Sequence, residues 1–176
     1  MGLEPHGRIA LGRLAGQEGR PHEAARHFRD AIDSARACGD APALAAALAA
    51  FGKAERDLGR SGAALERYEA AAAVLRTLAE PLRLAHVVRH LGDIRVERGE
   101  LDEAWRPYEE ALAIYRSVAS PALELANALR GYAILHELTG RTEPARELWI
   151  EARRLYEMER VQAGVDEAEQ RLATLG

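Results

Sequence analysis

The chain has 176 residues and a net charge of −4, with 24 basic and 28 acidic side chains interleaved along its length. That mixture excludes the dense basic patch of a nucleic-acid footprint, and a single cysteine, Cys38, excludes an internal disulfide framework. Ala, Leu, Arg and Glu dominate, Val and Ile are sparse and no run alternates with period two, so an all-helical protein is expected.

In chain order, a first helix is expected from His6 to Gln17, stopped at Gly19, and a second from Pro21 with Ala24, Phe28, Ala31 and Ala35 on one face. Gly39 and Asp40 close this pair. The second pair opens at Pro42. Its first helix presents Leu44, Leu48, Phe51 and Leu58 and ends at Gly59; Ser61 is placed to cap its second, which turns Ala64, Tyr68, Ala71 and Leu75 inward. The third pair opens at Glu80-Pro81, holds Leu84, Val87, Val88, Leu91 and Ile94, ends its first helix at Gly99 and continues with Ala104, Tyr108, Ala111 and Tyr115. Pro107 lies inside that second helix and predicts a mild kink or a tightened first turn. In the fourth pair Ser120-Pro121 caps and starts a helix built on Leu125, Leu129, Tyr132 and Leu135, with Gly140 as its stop, and Thr142 caps a helix that buries Ala145, Trp149, Ala152 and Tyr156. A ninth helix, Gln162 to Leu175, places Val165, Ala168, Leu172 and Leu175 on one stripe to cover the last pair, whereas no comparable cap precedes the first helix.

The pairs are copies of one pattern. Gly19, Gly59, Gly99 and Gly140 are followed at matching offsets by Ala24, Ala64, Ala104 and Ala145, by Phe28, Tyr68, Tyr108 and Trp149, and by Ala31, Ala71, Ala111 and Ala152. The spacing is forty, forty and forty-one residues, which makes this a repeat protein. Gly12, Gly52, Gly92 and Ala133 on the first helix of each pair admit a close neighbour, and the aromatic positions fill the space above them. The domain reading is four repeats over 1–160 (about 5–40, 41–79, 80–119 and 120–160) followed by a capping helix over 161–176.

Small at the eighth place, small at the twentieth, aromatic at the twenty-fourth and alanine at the twenty-seventh, the copies closely resemble the tetratricopeptide repeat. The 40-residue period is similar to the long-helix variety of kinesin light chains, spindle-orientation adaptors and bacterial regulator sensor regions. The resemblance implies a right-handed superhelical solenoid of four antiparallel helix pairs, whose first helices line a concave groove that binds a peptide or partner domain without catalysis or cofactor. The asparagine ladder of the relatives is absent, its place being taken by Ala10, Ala50, His90 and Gly131, and the carboxylate clamp of chaperone-binding members is not reproduced.

Mapped onto this chain, the groove positions implied by the resemblance are Arg13, Lys53, Arg56, Asp57, His86, Arg89, His90, Asp93, Glu97, Asn127, Arg130 and Glu137. Arg89 and Arg130 occupy equivalent places, so their guanidinium groups could point together at a carboxylate of a bound segment; the alternative is that these are solvated residues with intramolecular Glu partners. His86, His90, Asp93 and Glu97, spaced four, three and four, share a helical face that could hold a metal ion; Val87 stands where a His-Glu-x-x-His motif needs its glutamate, and groove lining is the favoured reading, with no metal assigned. No signal peptide is seen and no apolar run approaches the roughly 20 residues of a membrane span, so a soluble, cytoplasmic chain is expected, binding neither nucleic acid nor membrane. The alternative reading is an oligomerisation or ligand-sensing segment of a larger bacterial regulator, self-associating through the N-terminal face.

Overall fold

A computed structural model describes residues 4–176, which form nine α-helices and no strand among the described residues: α1 (Pro5–Gln17), α2 (Pro21–Cys38), α3 (Ala41–Asp57), α4 (Ser61–Leu75), α5 (Pro81–Glu97), α6 (Leu101–Ser117), α7 (Ala122–Leu138), α8 (Thr142–Met158) and α9 (Gln162–Leu175). They divide into two compact units, Met1–Val87 and Val88–Gly176, with the boundary inside α5.

Three residues join the two helices of a pair, and their chemistry explains the recurring glycine. At the end of α5, Glu100 N–H donates to Arg95 O at 2.9 Å and Gly99 N–H to Val96 O at 3.0 Å, the bonding of a Schellman turn. This turn needs a left-handed residue, and Gly99 supplies it at φ 76°. The same long bond recurs as Arg20 to Ala15, Arg60 to Glu55 and Arg141 to His136, at 2.8 to 2.9 Å. After α8 the repeat changes: Val161 N–H donates to Tyr156 O at 2.9 Å, but the left-handed position is Arg160, at φ 57°.

Within the N-terminal unit, Gly16 meets Ala24 and Gly12 meets Phe28, so position falls along α2 as it rises along α1: an antiparallel hairpin. Gly52 and Tyr68 repeat the contact between α3 and α4. Phe28 and Phe51 stack with centroids 5.6 Å apart. In the C-terminal unit Gly92 lies under the Tyr108 ring, while Ala104, Tyr108 and Leu135 form a core flanked by Val96, Leu101, Trp105 and Tyr132. Ala104, Ala111, Ala145 and Ala152 are 0% exposed, which leaves no room for a larger side chain at those motif positions.

Helix starts depart from the expected caps. Ser61 and Thr142 are the first residues of α4 and α8, with Arg60 and Arg141 in the capping positions and no side-chain cap bond. Ser120 Oγ turns back to donate to Tyr115 O at 2.9 Å, so it serves the end of α6 instead of the start of α7, which begins at Ala122. Asp40, expected to close the first pair, opens the next: its carboxylate accepts from Ala43 N–H at 2.9 Å and caps α3. Helix α6 runs without interruption through Pro107.

Candidate functional site

The expected groove residues are shared between the two units. In the N-terminal unit Arg13 is exposed on α1, Lys53 donates to Asp57 at 2.5 Å one turn along α3, Arg56 is half-buried and His86 is exposed on α5. The Lys53–Asp57 pair lies in solvent, where such pairs contribute little to stability.

In the C-terminal unit Arg89 and His90 turn inward and form a network around Asp93. Arg89 is buried, and its Nη1 donates to Asp93 Oδ2 at 2.8 Å. His90 Nδ1 lies 3.3 Å from the same oxygen, and its Nε2 lies 3.0 Å from Arg89 Nη2. Because the arginine can only donate, this arrangement assigns the imidazole proton to Nδ1. The Tyr108 hydroxyl donates to Asp93 Oδ1 at 2.8 Å. Burial pushes the Asp93 carboxyl up, but the His90 hydrogen bond, the Arg89 charge and the Tyr108 hydroxyl outweigh it and hold its pKa below the usual value. Both oxygens of Asp93 therefore already have partners from its own chain, and among the described residues no group of three or more His, Cys, Asp or Glu could hold a metal ion. Glu97, one turn beyond Asp93, is exposed.

Two tyrosines extend the network. The Tyr115 hydroxyl reaches Glu124 at 3.5 Å, and burial with that carboxylate pushes it up to about 12. The Tyr156 hydroxyl donates to Asn127 Oδ1 at 2.9 Å and is likewise raised by burial to about 12. Arg130 is engaged from α9: its Nε and Nη2 donate to the two oxygens of Glu167 at 2.6 and 2.8 Å. The Glu167 hydrogen bond in turn raises the pKa of Arg130. Glu137 accepts from Trp149 Nε1 and, through its other oxygen, from Arg171 Nη1 at 3.0 Å. Arg89 and Arg130 thus each bind an internal carboxylate, Asp93 and Glu167, the intramolecular pairing that stood as the alternative to a shared external carboxylate.

Residues 82–158, spanning α5 to α8, match the model of the tetratricopeptide repeat family. That stretch carries the tetratricopeptide repeat. The chain's helix-pair architecture is that of the tetratricopeptide α-α solenoid. Solved structures share it: BtubC from P. vanneervenii (TM-score 0.73, 18% identity, covering 95% of this chain and 79% of that one); a signal-transduction ATPase with a tetratricopeptide repeat sensor from Pyrococcus horikoshii (0.85, 18%, 96% and 26%); and aspartyl phosphate phosphatase F from Bacillus subtilis (0.84, 13%, 94% and 43%). The chain spans about a quarter of the second protein and less than half of the third. No curated protein sequence matches it. No helix among the described residues is long and apolar enough to cross a membrane.

Sequence reasoning assigned Tyr108, Tyr115 and Tyr156 of the tetratricopeptide pattern to packing alone. Their rings do pack, but each hydroxyl also meets a side-chain acceptor, Asp93, Glu124 and Asn127 in turn; for Tyr108 the signal was the contrast with Phe28, which holds the same place in the first repeat without a hydroxyl. Glu167 carries no sequence signal, because it lies on α9, outside the repeated pattern.

Proposed function

We propose that this tetratricopeptide chain is a non-catalytic protein-interaction module whose first-helix faces bind a peptide or a partner domain. On this reading Arg13, Lys53, Arg56 and His86 serve as contacts in the N-terminal unit, and His90, Glu97, Asn127 and Arg130 in the C-terminal one. Arg89 and Asp93 support that surface from below, since both are committed to the network around the Tyr108 hydroxyl. The tetratricopeptide repeat is in general a protein-interaction scaffold, which supports the coarse reading. The observation that carries the finer one is the half-exposed Arg130 guanidinium, presented on α7 in the two-point geometry that suits a carboxylate.

The test is selection of displayed peptides against the full chain. Peptides that bind the wild type and lose binding to Arg130→Glu, while far-ultraviolet circular dichroism and Tm stay unchanged, support the assignment. Peptides indifferent to the substitution remove Arg130 from the site, and the absence of any enriched peptide removes the peptide-binding reading.

A second reading, self-association through α1, is favoured by Leu14, which is 48% exposed on that helix. Light scattering over a wide concentration range checks it, and a strict monomer rejects it.

A further inference from the structure

The geometry points to Glu167 as an internal stand-in for a ligand carboxylate: the Arg130 face of α7 takes an acidic peptide segment, and the Glu167 side chain competes with it. The inference rests on the peptide-binding reading above and names the ligand chemistry. A guanidinium that donates through Nε and Nη2 to the two oxygens of one carboxylate makes the strongest and most direction-specific of the common ion-pair contacts. Here that contact joins residues 37 positions apart on different helices, so it is a tertiary feature and not the usual one-turn pair along a helix surface.

Helix α9 does not depend on this contact for its position. Gly164, Val165 and Ala168 are buried, the Tyr156 ring lies directly under Gly164, and Arg171 pairs separately with Glu137. The Glu167 side chain can therefore swing off Arg130 while α9 stays docked. The side chains of Arg130 and Glu167 are 42% and 29% exposed, so an incoming carboxylate has a path to the guanidinium and can exchange with Glu167 for the same two donors. Arg89, with its side chain 11% exposed and bound to Asp93, offers no such opening.

The experiment measures fluorescence anisotropy of a fluorescein-labelled hexaglutamate peptide titrated with the full chain at low salt. The proteins are wild type, Glu167→Gln, Glu169→Gln and the double variant Glu167→Gln/Arg130→Gln. Glu169 is exposed on the same helix, so its substitution changes net charge equally and leaves Arg130 paired. Glu167→Gln is expected to bind about two- to fivefold more tightly than Glu169→Gln, as release of a half-exposed ion pair allows, and the double variant is expected to lose the gain. Glu167→Asp, too short for the two-point contact, should show a partial gain and guards against a fold defect in the glutamine variant. Equal binding by Glu167→Gln and Glu169→Gln, or a gain that survives loss of Arg130, overturns the competition while leaving the peptide-binding face intact. Failure of every protein to bind the probe overturns the acidic-ligand assignment, and peptide selection then decides the broader reading.

Discussion

The Tyr108 hydroxyl donates to Asp93 at 2.8 Å while its ring is held between Gly92 on α5 and Gly131 on α7. A methyl group at position 131 would lie 2.7 Å from Tyr108 Cε1, 2.8 Å from its oxygen and 3.0 Å from Asp93 Oδ1. Gly131→Ala is therefore expected to destabilise the chain by about 1–3 kcal/mol through overpacking. Tyr108→Phe should cost about 1–2 kcal/mol through the lost hydrogen bond to a buried carboxylate. Because the two changes disturb one contact, the double variant should lose less than the sum of the single ones, and urea unfolding of the four proteins measures the coupling.

Asp93 answers for the buried Arg89 charge. Removing one partner of a buried ion pair leaves the other uncompensated, so Asp93→Asn should lower stability by about 3–5 kcal/mol. The native carboxyl has a lowered pKa, so its contribution is fully present above the ordinary value of 3.8 and is lost as pH falls through the native value. The variant should accordingly lose this acid limb, which unfolding midpoints between pH 5 and pH 2 would display.

His136 predicts a limb nearer neutrality. Its ring packs edge-on against Trp105 and Tyr132, with centroids 4.7 and 4.6 Å away, and Nδ1 is buried without a partner. Burial and the nearby Arg141 charge lower its pKa, with Glu109 opposing. The folded chain favours the neutral ring, so this contribution is complete above the ordinary value of 6.5 and declines as pH falls below it. His136→Phe should flatten the dependence of Tm between pH 7 and pH 5; an unchanged slope would show that His136 does not set it.

Arg160 holds the left-handed position that glycine occupies in the other short turns. A non-glycine residue there carries about 1–2 kcal/mol of steric cost, partly offset by the larger entropy that glycine loses on folding. Arg160→Gly should raise stability by about 0.5–1 kcal/mol in urea unfolding, and a loss would mean that the Arg160 side chain makes a compensating contact.

The sequence by itself determined the helices, their pairing and the inward face of each, because those follow from a 3.6-residue apolar period and from glycines whose left-handed backbone can be read as a stop. Ala104 and Tyr108 were legible as packing positions for the same reason: four copies at one offset leave little else for them to be. Capping was less legible. Ser61 and Thr142 have the right chemistry for an N-cap, but the Schellman turns before them fix where the chain reverses and leave both one position inside the helix; Ser120 instead bonds back to Tyr115 O at the end of α6.

Only the tertiary structure decided what the charges do. Arg89 and Arg130 occupy equivalent places in consecutive repeats, yet one is buried on Asp93 beneath the Tyr108 hydroxyl and the other is gripped by Glu167, 37 residues away on α9. A repeat pattern specifies where a side chain starts from the backbone. Whether it ends in solvent or on a carboxylate depends on which helix packs beside it, and that partner is a property of the folded chain.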